Sequence, residues 1–184
     1  FTGRPEQAQA VGAAKYVDLK DKTIRSATGE LQLDYGDGVA TIDTAKAQGA
    51  AGFLKGKVAI RLSDVDIDMA NDYGTVMVVA LDDKPLAVSK KILIQCMTID
   101  QLYGWETSEP GGMGGAIRSV GSAPWGVKKI KASVTLRLQG AKPSRVVACD
   151  ENGYASDIET RVSSTNGGLT VQVNETAPYT VVLR

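Results

Sequence analysis

The chain has 184 residues, 21 basic and 21 acidic side chains, and no histidine. That length suits one domain of ordinary size, able to bury a substantial apolar core without disulfide or metal staples. The charge balance excludes the field that draws basic proteins to nucleic acid or anionic lipid. The missing histidine excludes the commonest general base, the commonest zinc ligand and every Ser-His or Cys-His nucleophile. No apolar run approaches the length of a membrane span. The chain opens on Phe1 with no visible leader, and reads as a processed or excised piece of something longer.

Residues 1–15 are rich in Ala and Gln without alternation, and read as an arm or junction remnant. From Tyr16 the pattern changes. Glu30 to Tyr35 alternates polar and apolar residues as a half-buried strand does, and Gly36-Asp37-Gly38 supplies the positive φ angles of a tight hairpin. Gly38 to Thr44 reads as the returning strand, and Lys57 to Leu62 as another. Asp64 to Met69 alternates throughout. Gly74 to Leu81 and Lys91 to Met97 are almost continuously apolar, the pattern of central strands covered on both faces. Further strands are expected at Ala132 to Leu138, Arg145 to Cys149, Leu169 to Val173 and Tyr179 to Leu183, with turns at Asn152-Gly153 and Asn166-Gly167-Gly168. Many short strands with Gly-rich turns and no helical stripe indicate an all-β sandwich of mostly antiparallel strands, with one long irregular loop over residues 99–126.

Several constellations invite chemistry. Asp64, Asp66 and Asp68 project to one side of their strand about 6.5–7 Å apart, which is wide for one calcium ion. The EF-hand pattern also fails, with Met69 at its sixth position and Thr75 at its twelfth. These acids read as a solvated face opposite Val65, Ile67 and Met69, placed on an exposed edge. Asp34, Asp37 and Asp43 surround a hairpin, where carboxylates serve turn geometry more often than glycosidic chemistry. Ser89 and Lys90 are adjacent in an extended segment, so their side chains point apart and form a poor nucleophile-base pair. The run Lys128-Lys129-Ile130-Lys131 reads as a solvated strand entrance. Cys96 and Cys149 lie in apolar runs, and sequence leaves open whether they form a bridge or two buried thiols.

The last constellation is Tyr103-Gly104-Trp105, with Trp125 at the far end of the same segment. In extended backbone Tyr103 and Trp105 share a side, an arrangement suited to the flat C–H faces of sugars. Aromatics plugging a sheet edge is the alternative. Tyr103, Trp105 and Trp125 are therefore the candidate carbohydrate-binding residues. No catalytic residue, metal ligand or cofactor is expected.

The run Ile24 to Leu31, Asp34-Tyr35, Val39 through Thr44, Gln48-Gly49 and Gly52-Phe53-Leu54 resembles a recurring block of one family. That family is the C-terminal β-rich region of large secreted bacterial proteins described as glycoside hydrolases. Val78 to Asp82, Lys84-Pro85-Leu86 and Ser89-Lys90 into Ile92-Leu93-Ile94 resembles its second block. The family commonly has Gly where this chain has Asp83, and segment 99–126 matches it poorly. The resemblance implies a non-catalytic accessory domain, residues 16–184, of a secreted or otherwise extracytoplasmic carbohydrate-active protein. Its expected partners are a polysaccharide or oligosaccharide and a catalytic domain of the parent chain, with neither nucleic acid nor membrane. Two roles stay open: glycan binding through the aromatics, or packing on a catalytic barrel with no ligand of its own.

Overall fold

The structure is a computed structural model that describes residues 12–109, 115–140, 142–165 and 168–184. Most of the expected arm, residues 1–11, lies outside the described residues. A short 3-10 turn, Ala13–Tyr16, leads into the first strand.

The strands in chain order are β1 (Val17–Asp18), β2 (Thr23–Arg25), β3 (Leu31–Asp34), β4 (Val39–Asp43), β5 (Ala47–Gly52), β6 (Ile60–Arg61), β7 (Val65–Met69) and β8 (Gly74–Ala80). After them come β9 (Lys91–Thr98), β10 (Asp100–Thr107), β11 (Ile117–Val127), β12 (Ala132–Leu136), β13 (Arg145–Cys149), β14 (Arg161–Thr165), β15 (Gly168–Gln172) and β16 (Tyr179–Leu183). A large sheet of nine strands has the order β1-β2-β3-β4-β5-β8-β9-β16-β13, and a small sheet of five has the order β14-β15-β12-β7-β6. All the pairings in both are antiparallel. The expected all-β sandwich is what the chain forms.

The core lies between the sheets. Residues paired across neighbouring strands share a face, and alternate residues face opposite ways. The inward row of the large sheet runs Ala50, Val76, Cys96, with Val78, Ile94 and Ala148 in the next row. Val65, Ile67, Met69, Val134, Leu136 and Val171 meet them from the small sheet, and all are buried. Val65, Ile67 and Met69 are thus the inward half of the Asp64–Met69 alternation. Their strand β7 is flanked by β12 and β6, however, so the acids do not sit on an edge as expected.

Buried Gln48 joins the layers. Its side-chain amide donates to Asp64 Oδ2 (3.1 Å) and to the Thr44 carbonyl (3.2 Å), and its Oε1 accepts from the Asp64 amide (2.8 Å). Close by, Asp43 accepts from the Ser63 amide and hydroxyl. These bonds hold the turn before β7 against the large sheet, where an unpaired amide would be costly.

One expectation is corrected. Residues 99–126 do not form an irregular loop: β10 and β11 pair as an antiparallel two-stranded ribbon from Asp100↔Val127 to Thr107↔Ile117. Composition misleads here because the Gly and Ser residues that suggest a loop also permit a sharply bulged ribbon. The tip, residues 110–114, lies outside the described residues, and so do residues 166–167 of the Asn-Gly-Gly turn. The strands flanking that second turn nevertheless pair at Thr165↔Gly168, as a hairpin requires. Lys57 to Leu62 contributes only the short β6, and β1, β2, β5 and β14 have no counterpart among the expected strands.

Candidate functional site

Most of the acids singled out by sequence serve structure, Asp68 excepted. Asp34 accepts from the amides of Gly36 (2.9 Å) and Asp37 (2.8 Å), closing the β3–β4 turn. Asp37 pairs with Lys57. Asp64 is held by Gln48, and Asp66 pairs with Arg137 at 2.7 Å. Ser89 is buried and donates to Asp82 (2.6 Å), whose other oxygen accepts from the Lys90 amide (2.8 Å). These bonds hold the Asp82 carboxyl below its ordinary value of 3.8, the Ser89 hydroxyl contributing most. A serine whose proton points at a structural carboxylate is not an activated nucleophile. Among the described residues, no group of three or more acids and cysteines is placed to hold a metal ion.

Cys96 faces the core, and burial pushes its thiol up to about 12. Cys149 pairs with Tyr179, which pairs with Gln95, the neighbour of Cys96. The two thiols therefore project from opposite faces of one sheet, and both are free. That settles the alternative the sequence leaves open.

Tyr103, Trp105 and Trp125 all sit on the ribbon. Neither of its strands contains a fully buried residue. Its base is pinned to the sandwich where the Thr98 hydroxyl donates to the Lys128 carbonyl and the Lys128 amide donates to Ile99 (3.0 Å). Tyr103 is 76% exposed and Trp125 65%, whereas Trp105 is half-buried. Gly104 and Gly121 carry φ of 77° and 70° between the pairs Tyr103↔Ser122 and Trp105↔Val120. A Cβ on Gly121 would stand 2.4 Å from the Tyr103 carbonyl oxygen, so the two backbones approach this closely only with glycine there. Trp125 pairs with Leu102, beyond a second irregularity. The three aromatics thus share one element but do not form one cross-strand row. Trp105 pairs with Val120 instead, and Ile117 and Val127, at the two ends of the ribbon, are exposed as well.

A second surface is larger. Rows on the outward side of the large sheet run Ile24, Leu33, Ala40, Ala51; then Leu31, Ile42, Gly49, Met77; then Val79, Leu93, Val181, Val147. Leu31 is 50% exposed, Leu33 42% and Ile24 40%. With Ile42, Ala51 and Met77 they line an apolar groove of about 470 Å³. A sandwich normally alternates apolar residues inward with polar residues outward. Here the outward sides of β8 and β9 carry Met77, Val79, Leu93 and Met97, with Thr75 and Gln95 among them, and the small sheet covers only the inward side. What the sequence does not reveal is which side is left open, or that β2, β3 and β4 extend that apolar side.

No family model, curated protein or solved structure matches the chain. Among the described residues no helix is long and apolar enough to cross a membrane.

Proposed function

We propose that the chain is a non-catalytic accessory module of an extracytoplasmic carbohydrate-processing protein, and that it works by packing against that protein's catalytic domain. The observation that carries this reading is the apolar outer face that β2, β3, β4, β5 and β8 share on the large sheet. A sheet apolar on both sides is the signature of a layer with neighbours on both sides, and an exposed patch of this kind marks an interface. The carbohydrate context comes from the resemblance of the 24–97 region. The engagement of Asp34, Asp43, Asp64, Asp82 and Ser89 in turns and inter-sheet bonds supports a non-catalytic role.

The test is to produce the catalytic part of the parent protein separately and record its thermal midpoint with and without this chain. Packing predicts a co-migrating complex and a raised midpoint, both lost when Leu31 and Leu33 are replaced by lysine. If there is neither complex nor shift at saturating concentration, the reading fails.

Glycan binding through Tyr103, Trp105 and Trp125 is the second reading, favoured by the exposure of Tyr103 and Trp125. It predicts a saturable change in tryptophan emission with one polysaccharide, abolished by Trp125→Ala. Unchanged emission across plant, algal and host polysaccharides would reject it.

A further inference from the structure

The outward side of the small sheet is chemically the opposite of the large one. Register places Arg161, Gln172, Ser133 and Asp68 in one cross-strand row over β14, β15, β12 and β7. Four adjoining strands span about 14 Å. The row forms the floor of a groove of about 710 Å³, rimmed by Lys131, Glu159, Asn174 and Glu175. Arg161, Gln172 and Asp68 are exposed and Ser133 is half-buried. Among the described residues, none of these four side chains has a hydrogen bond or ion pair within the chain. The parallel row beneath differs: the Thr135 and Thr170 hydroxyls bond each other at 2.9 Å, and Asp66 pairs with Arg137. Unengaged hydrogen-bonding capacity is concentrated where the groove is.

We propose that this groove is a binding site for a short neutral oligosaccharide lying across the strands. The row offers a guanidinium donor at one end, an acceptor carboxylate at the other, and between them an amide and a hydroxyl that do both. Sugar hydroxyls, each donor and acceptor at once, match such a mixed row at every position. Charge favours a neutral ligand. Of the three acids in the groove, Glu175 is paired with Lys129 at 2.9 Å, which leaves Asp68 and Glu159 against Arg161 and Lys131. Phosphates of a nucleic acid would meet these carboxylates. An extended peptide is recognised chiefly by an open strand edge, whereas this row lies on a sheet face.

The groove also adjoins the aromatic ribbon. The Ile130 amide donates to the Glu175 carbonyl (2.9 Å), so the rim residues Ile130, Lys131 and Glu175 lie just beyond the end of β11 at Val127. The site stands independently of the packing role, because groove and docking face belong to different sheets.

The test is a titration of the isotope-labelled chain with maltotriose, cellotriose, mannotriose and xylotriose in turn, followed by backbone amide shifts. One sugar should move the amides of Ser133, Arg161 and Gln172 saturably. Arg161→Ala and Gln172→Ala should each raise Kd about three- to tenfold, the loss of one good hydrogen bond. Trp125→Ala should change it less than about twofold, as a site without direct contact does. The fold of each variant is read from the same spectra. The proposal is overturned if no trisaccharide moves these amides, if shifts are confined to the ribbon, or if Kd is unmoved in the Arg161 and Gln172 variants. It is equally overturned if a mixed-sequence peptide moves them and the sugars do not.

Discussion

Gln48 is a polar side chain with no solvent exposure, and of its three hydrogen bonds two bridge β5 to Asp64 in the turn before β7 and one closes on the Thr44 carbonyl. Replacing it by leucine keeps the volume but strands the Asp64 amide and the Thr44 carbonyl. The expected loss is about 1–3 kcal/mol, the penalty for a buried polar group left without a partner. Urea unfolding should show a lower midpoint at unchanged slope, since the exposed area does not change. The surface acids set the response to pH. Asp82, Asp72, Asp83 and Glu175 all ionise below their ordinary values, through Ser89, Lys55, Lys46 and Lys129 respectively. A carboxyl depressed in the folded state contributes stability that is present above its unfolded value and lost as pH falls through the folded one. The thermal midpoint should therefore hold through the neutral range and fall below about pH 4. Salt should weaken the contributions of Asp72, Asp83 and Glu175, whose main partners are lysines, more than that of Asp82, which rests chiefly on a hydroxyl and an amide and least on Lys84. An acid limb insensitive to salt in every aspartate variant would contradict this assignment.

At the scale of elements, the sequence was legible wherever a strand has one face in the core. The strands Val39–Asp43, Val65–Met69, Gly74–Ala80, Arg145–Cys149 and Tyr179–Leu183 follow apolar patterns that the sandwich enforces. Ala47–Gly52 escapes notice because Ala-Gln-Gly-Ala-Ala-Gly has no strand-forming side chain; it is held by β4 and β8 on either side. The ribbon escapes for a related reason. With no residue in the core it has no inward face to produce alternation, and its pairing is visible only in the folded chain. The polar groove was illegible strand by strand, since Asp68, Ser133, Gln172 and Arg161 each read as an ordinary solvated position. Only the register lines them up.

The ribbon's independence has a measurable consequence. A two-stranded hairpin is marginal on its own in water. Gly121→Ala places a Cβ within 2.9 Å of the Trp105 amide nitrogen and closer still to Tyr103, at a φ of 70°. Hydrogen exchange should accelerate in β10 and β11 alone, while the core amides keep their protection. A fall in global stability beyond about 1 kcal/mol would instead place the ribbon in the cooperative core.

For the whole molecule, the unequal sheets decide what is left uncovered. The large sheet is about twice as wide as the small one, and its outward side is apolar over β3, β4 and β8, where the other side of β8 is also apolar. A side built only for solvent would carry lysine, threonine or glutamate where Leu31, Leu33, Met77 and Leu93 stand. Substituting Leu31 and Leu33 together by lysine separates an interface from a core. If these residues await a neighbour, the isolated chain loses little by their replacement, since each is already about half exposed. Its unfolding free energy should then change by no more than about 0.5 kcal/mol per substitution, as at other surface sites. Binding of an apolar dye to the native state should fall, and self-association in sedimentation should fall with it, because the exposed patch has been broken. If the double variant unfolds, Leu31 and Leu33 belong to the chain's own core and the outer face is not a docking surface. Retained stability together with undiminished dye binding would place the sticky patch on the ribbon instead, where Ile117, Val120 and Trp125 are also exposed.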